Sequence, residues 1–107
     1  MNTWRLSEKD TAALRETVYC PPDACVYRSE HGLLAVMYVQ VLRNGTMWHL
    51  YISGAHGRMP AIEDLLDARA TLLPGIEDWQ IEAPTPGMGN VVHMMEVPEE
   101  MVYATRQ

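Results

Sequence analysis

Residues 33–53, LLAVMYVQVLRNGTMWHLYIS, decide how this chain is read. Two apolar runs rich in β-branched and aromatic residues flank Asn44-Gly45, the strongest short-range hairpin signal a sequence offers. A two-residue loop then sets the register. Arg43 opposes Thr46, Val41 meets Trp48, Val39 meets Leu50 and Met37 meets Ile52. The last three pairs are apolar and share one face, as strand alternation requires. The other face pairs Leu42 with Met47, Gln40 with His49 and Tyr38 with Tyr51. One face is therefore core, and the second is mixed, with an aromatic pair and two polar residues.

Outward from the hairpin, residues 24–30 are strand-like through Val26 and Tyr27, and His31-Gly32 is a turn. Ser7-Glu8-Lys9-Asp10 reads as a helix start, with a capping hydroxyl followed by acids at the positive end of the helix dipole. Ala12, Ala13, Leu14 and Val18 form its apolar stripe, and Pro21-Pro22 forces its end. Downstream, residues 54–59 form a loop and Pro60 suits a first helical position. Glu63 and Asp64 follow in the first turn. Ala61, Leu65, Ala68 and Leu72 line a core stripe with Ile62, Leu66 and Leu73 beside it, and Pro74-Gly75 stops the helix. Residues 79–83 alternate with Trp79 and Ile81 inward, residues 84–89 turn, residues 90–97 form a last strand, and residues 99–103 form a terminal helical turn. The order α-β-β-β-α-β-β predicts an α+β fold. In it two helices pack on an antiparallel sheet of about five strands, in one domain over residues 1–107.

Composition narrows the function classes. The 107 residues are 48% hydrophobic and 21% charged, an ordinary globular balance. No apolar run approaches the roughly 18–20 residues needed to span a bilayer. Residues 1–20 lack a basic segment followed by an apolar one, so a cytoplasmic protein is expected. Eight Lys and Arg stand against 14 Asp and Glu, a net charge of −6. That balance disfavours phosphate backbones, even should Arg5, Arg15 and Arg28 form a local patch, and suits a basic partner. Cys20 and Cys25 read as ordinary thiols, the alternative being one disulfide that closes a small loop around Pro21-Pro22. A zinc site on them would need two more ligands, and His31, His49, His56 and His93 stand at none of the usual spacings. No metal and no cofactor is expected.

Two groups of residues are candidate surfaces. Tyr38, Gln40, His49 and Tyr51 share the mixed sheet face and form a pocket or a partner surface. Glu63, Asp64, Asp67, Glu77, Asp78 and Glu82 concentrate acid between positions 63 and 82 and suit contact with a basic protein. The loop Gly54-Ala55-His56-Gly57-Arg58 precedes a helix, but the acids and proline that follow are unlike a phosphate loop. Pro86-Gly87-Met88-Gly89-Asn90 holds G-x-G with no helix after it, so it reads as a turn. No nucleophile–base set is signalled, and catalytic residues are assigned to no position. Met88, Met94, Met95 and Met101 supply adaptable apolar contacts. A sheet apolar on both faces needs cover on both, from two helices or from one helix and a second subunit, which makes a homodimer a further expectation.

In size and organisation the chain resembles small phage and mobile-element accessory proteins of the anti-CRISPR type. The shared features are one α+β domain, an acidic balance, no catalytic signature, and a ββ-turn-α-ββ layout around Asn44-Gly45 and residues 60–73. The resemblance assigns a role to no residue. It implies a non-enzymatic inhibitor or adaptor that binds another protein, such as a nuclease complex with basic nucleic-acid channels. The alternative is a small-molecule-binding or catalytic domain that uses Tyr38, Gln40, His49 and Tyr51.

Overall fold

The computed structural model describes residues 2–17, 21–82 and 89–98. Its elements in chain order are β1 (Trp4–Leu6), α1 (Glu8–Arg15), β2 (Cys25–Ser29), β3 (Leu34–Leu42), β4 (Gly45–Ser53), a 3-10 turn (Ala55–Gly57), α2 (Ile62–Leu72), β5 (Trp79–Ile81) and β6 (Val91–Glu96). All strands pair antiparallel in one six-stranded sheet, ordered β1-β2-β3-β4-β6-β5. The fold is the expected α+β class with one strand more. β1 escapes periodicity because three residues span too little chain to show a period. Cys20, the turn residues 84–88, the segment 99–103, Met88 and Met101 lie outside the described residues. Cys25 carries a free thiol. No described helix is long and apolar enough to cross a membrane.

The hairpin is real, but its register is slipped by two residues from the expected one. Leu42 pairs with Gly45, Val41 with Thr46, Val39 with Trp48, Tyr38 with His49 and Met37 with Leu50. The loop is Arg43-Asn44, and neither residue takes a positive φ, so this is not the primed turn Asn-Gly would make. Gly45 instead carries the unusual backbone, φ 152°, which glycine tolerates without a Cβ penalty. A slip of two preserves side-chain parity, so both faces keep the residues expected of them.

The core face carries Ala35, Leu50, Ile52 and Met94, buried together under Leu65, Ala68 and Leu73 of α2 and its end. The α2 stripe is narrower than its sequence suggests. Leu65 and Ala68 are buried, whereas Ile62 and Leu66 are 73% and 53% exposed. Pro60 lies outside the helix, whose N-cap is Ala61. Alanine has no side-chain acceptor, and the Asp64 carboxylate instead accepts from the Ala61 N–H at 3.1 Å. Trp79 packs against the core, as expected, but Ile81 is exposed. Ile81 pairs with buried Met94 and so shares the core face, yet it sits on the edge strand, beyond the helix.

α1 holds the other edge. Ser7 caps it, accepting from the Asp10 N–H at 3.3 Å. Where β1 ends, the Ser7 N–H donates to Val26 O at 2.8 Å, and Thr11 Oγ1 accepts from the Val26 N–H at 3.0 Å. The helix therefore takes over the pairing that β1 leaves open. Asp10 also pairs with Arg28 of β2, whose guanidinium, with the Ser7 hydroxyl, holds the carboxyl down to about 2.

α2 is fastened to β1 through one carboxylate. Asp67 Oδ2 accepts from the Asn2 N–H at 2.9 Å and from Trp4 Nε1 at 3.1 Å. Burial raises the Asp67 pKa, and these donors together outweigh it, so the net shift is downward. Asp67→Ala leaves the buried indole N–H unpaired, which costs roughly 1–3 kcal/mol. Urea denaturation should show that loss with an unchanged slope.

Candidate functional site on the open sheet face

The face opposite α2 carries Val36 and Tyr38 from β3, His49 and Tyr51 from β4, and Val91, His93 and Met95 from β6. α1 packs on β2 at the edge, and α2 lies on the other side, so neither described helix covers the centre. Four rings fill it. Tyr51 and His93, direct partners across β4 and β6, stack at 4.1 Å between centroids and 1° between planes. Tyr38 stacks on His49 at 4.7 Å. Tyr38 and Tyr51 lie 6.1 Å apart, and His49 and His93 5.1 Å apart.

The slipped register still brings the four expected residues together. Tyr38 faces His49 directly, while Gln40 faces Met47 and reaches His49 on the diagonal, where long side chains meet. Gln40 Oε1 lies 2.7 Å from His49 Nε2, and His49 Nδ1 lies 2.9 Å from His93 Nε2. With the Gln40 amide oriented as it stands, one tautomer pattern satisfies both contacts. Gln40 Oε1 only accepts, so His49 Nε2 carries a proton and donates it. In the neutral ring Nδ1 then accepts, and His93 Nε2–H donates to it. His93 Nδ1 is left with a free lone pair at the outer end of the chain.

His49 is 5% exposed, and burial pulls its pKa below the ordinary 6.5. Burial does the same to His93, assisted by the neighbouring His49 and opposed by Glu82. Burial, with the hydrogen bond to Tyr51, pushes the Tyr38 hydroxyl upward. The pair can take one proton and keep its bond, but a second would set N–H against N–H. Between the lowered folded pKa values and 6.5 the unfolded chain binds more protons, so stability rises with pH there. It is held in full above about 6.5 and falls as acid is added. We expect the melting temperature to fall between pH 7.5 and pH 5. The double variant His49→Gln, His93→Gln should lose most of that drop, and an unchanged pH slope would refute the assignment.

Two of the acidic candidates are engaged by other parts of the fold. Asp67 is engaged by Asn2 and Trp4, and Asp64 by the Ala61 N–H and by Asn2 Nδ2 at 3.0 Å. Glu63, Glu77, Asp78 and Glu82 are exposed, spread over the start of α2, the loop before β5 and the end of β5. Of the basic candidates, Arg5 and Arg28 oppose each other on β1 and β2 and line a cavity of about 370 Å³ with Thr3, Ser29 and Glu30. Among the described residues no group of three or more His, Cys, Asp or Glu could hold a metal ion.

Sequence reasoning missed His93 as a member of this site. β6 inserts between β4 and β5, which carries His93 to His49 across 44 residues of chain. Its alternation within Val91-Val92-His93-Met94-Met95 was the available signal, since His93 takes the parity opposite to core residue Met94. Compared with models of protein families, with curated proteins and with solved structures, the chain matches none.

Proposed function

We propose that this chain is a protein-binding module without catalysis of its own, an inhibitor or adaptor that docks through the open sheet face. The observation that carries the reading is the stacked quartet Tyr38, His49, Tyr51 and His93, which neither described helix covers, with His49 buried at its centre and half-buried Val36, Val91 and Met95 beside it. Tyr and Met are enriched where proteins meet, and aromatic side chains anchor such contacts. The net charge of −6 favours a basic partner, such as a nucleic-acid-binding nuclease complex of the CRISPR type, encountered by a phage-encoded inhibitor.

The test is affinity capture from host extract with the wild-type chain and two sets of variants. Tyr38→Ala with Tyr51→Ala should release the partner, weakening binding at least tenfold. Glu63→Gln, away from the face, should not. A partner retained equally by the face variants, or none retained by the wild type, would sink the reading.

The His93–His49–Gln40 hydrogen-bond chain favours a second reading, a small-molecule-binding or catalytic face. There His93 Nδ1, neutral at pH 7, accepts a proton and His49 holds its tautomer. Under that reading His49→Gln lowers turnover while Tyr38→Ala chiefly weakens substrate binding. Under the protein-docking reading both act on partner affinity alone.

A further inference from the structure

The β3–β4 hairpin reaches past the rest of the sheet. β2 pairs with β3 no further than Cys25 with Met37, and β6 pairs with β4 no further than Met95 with His49. Residues 38–48, YVQVLRNGTMW, therefore form a two-stranded ribbon, and two strands alone are marginal in water. Side-chain carboxylates end the pairing at its base. Asp23 Oδ2 accepts from the Val39 N–H at 3.1 Å, and Glu96 Oε1 accepts from the Trp48 N–H at 3.2 Å. Since the Val39 N–H points away from β4, so do the N–H and C=O of Val41, two residues on.

The two edges of the ribbon differ. β6 runs on past Glu96 into Val97, whose N–H donates to Asp78 O at 2.9 Å, so chain continues on the β4 side. On the β3 side, a turn in which the Ala24 N–H donates to Pro21 O at 3.1 Å takes the chain out of the line of β2. Among the described residues no strand pairs with β3 beyond Met37. Sheets defend such an edge with lysine, proline or a bulge. Here the ribbon pairs without a bulge, and Arg43 at the tip is its one charged residue. Val41 is 80% exposed, more than any other large apolar residue described.

We propose that two copies of this chain pair antiparallel along their β3 edges, about a two-fold axis at the ribbon tip, with the Val41 backbone groups bonded across it. The charges select a second copy as the occupant. A net charge of −6 opposes approach of two copies elsewhere, but no Asp or Glu stands between Glu30 and Glu63, so this hairpin is where repulsion is least. Antiparallel pairing carries the tip of each ribbon toward the base of the other. Arg43 is exposed and belongs to neither described ion pair, and it comes beside Asp23 of the second copy, twice by symmetry. The pair goes beyond the docking reading and does not depend on it, since the edge lies in the plane of the sheet and the docking face across it. The axis stands perpendicular to the sheet, so both open faces look to one side. A ribbon edge is short against the roughly 800 Å² per partner of a standard interface, so the dimer is weak and dissociates on dilution.

The experiment is sedimentation equilibrium of the full chain from micromolar to millimolar concentration. Expected is a reversible rise in mass toward twice that of one chain. Val41→Lys sets like charges against each other at the axis and should weaken association at least tenfold. The site is exposed, so melting of the dilute variant should match wild type. Arg43→Glu should also weaken association at least tenfold, and the charge swap Asp23→Arg with Arg43→Glu should restore most of it. A single-chain mass at every concentration would leave the edge to a strand of another protein and overturn the proposal. So would a dimer undiminished by Val41→Lys, or a charge swap that restores nothing.

Discussion

Leu50→Ala should destabilise this protein far more than truncation of an exposed residue on the same sheet face. Leu50 is fully buried on the middle of the sheet, paired with Met37 on one side and Met94 on the other. It joins Ala35, Ile52, Leu65, Ala68 and Met94 in one cluster. Two of those neighbours are alanines, which have no rotamers with which to fill a hole. Removing the leucine side chain loses its transfer free energy and leaves a cavity, at a cost of about 2–5 kcal/mol. Thermal melting should shift down by roughly 10 °C or more. Val41→Ala is the control. Val41 is on the same face but 80% exposed near the hairpin turn, and its truncation should cost no more than about 0.5 kcal/mol. Equal losses at the two positions would show that the cluster is not the seat of stability.

Gly54→Ala should be nearly as damaging, for a different reason. Gly54 follows β4 and is buried, with its N–H donating to Asn90 O at 2.9 Å and its carbonyl accepting from Asn90 Nδ2 at 3.3 Å. Its backbone is ordinary, with φ −72°, so conformational freedom is not what requires glycine. Space is. A Cβ there would lie 1.7 Å from Arg58 O and 2.7 Å from Arg58 C. Both are backbone atoms, which cannot swing aside as a side chain can. The loop would have to lift away from β4, and with it the path into α2. The expected cost is about 3 kcal/mol, the upper end for an overpacked site. Gly75→Ala, where nothing lies within 4 Å, should be close to neutral. Folded, wild-type stability in Gly54→Ala would mean that the loop does not close on the strand end in this way.

The candidate site was legible only in part, and the reason lies in how each residue arrives there. Tyr38, Gln40, His49 and Tyr51 lie on one hairpin, so alternation alone puts them on one face. The actual pairing differs, because Arg43-Asn44 and not Asn44-Gly45 forms the loop. The face survived that difference since a slip of two residues leaves parity intact. The acidic residues read differently in the chain and in the fold. Asp64 and Asp67 look like a solvated helix face, but one end of that face meets Asn2 and Trp4, more than 60 residues away in sequence.

Local rules therefore determined what can be read over a few residues. Ser7 as a cap, Pro74-Gly75 as a stop, the hairpin and its two faces all follow from capping chemistry and a period of two. The tertiary structure alone decided what depends on distant chain segments meeting. It made Trp4–Leu6 a strand, because only pairing with β2 orders three residues. It exposed Ile62 and Leu66, because the sheet accepts one narrow stripe of α2. It brought His93 to His49 and Arg69 to Trp79, through β6 lying between β4 and β5 and α2 lying across the core face. Those contacts are set by which elements share a core, and hydrophobic burial, being non-directional, leaves no local mark of its partner in the sequence.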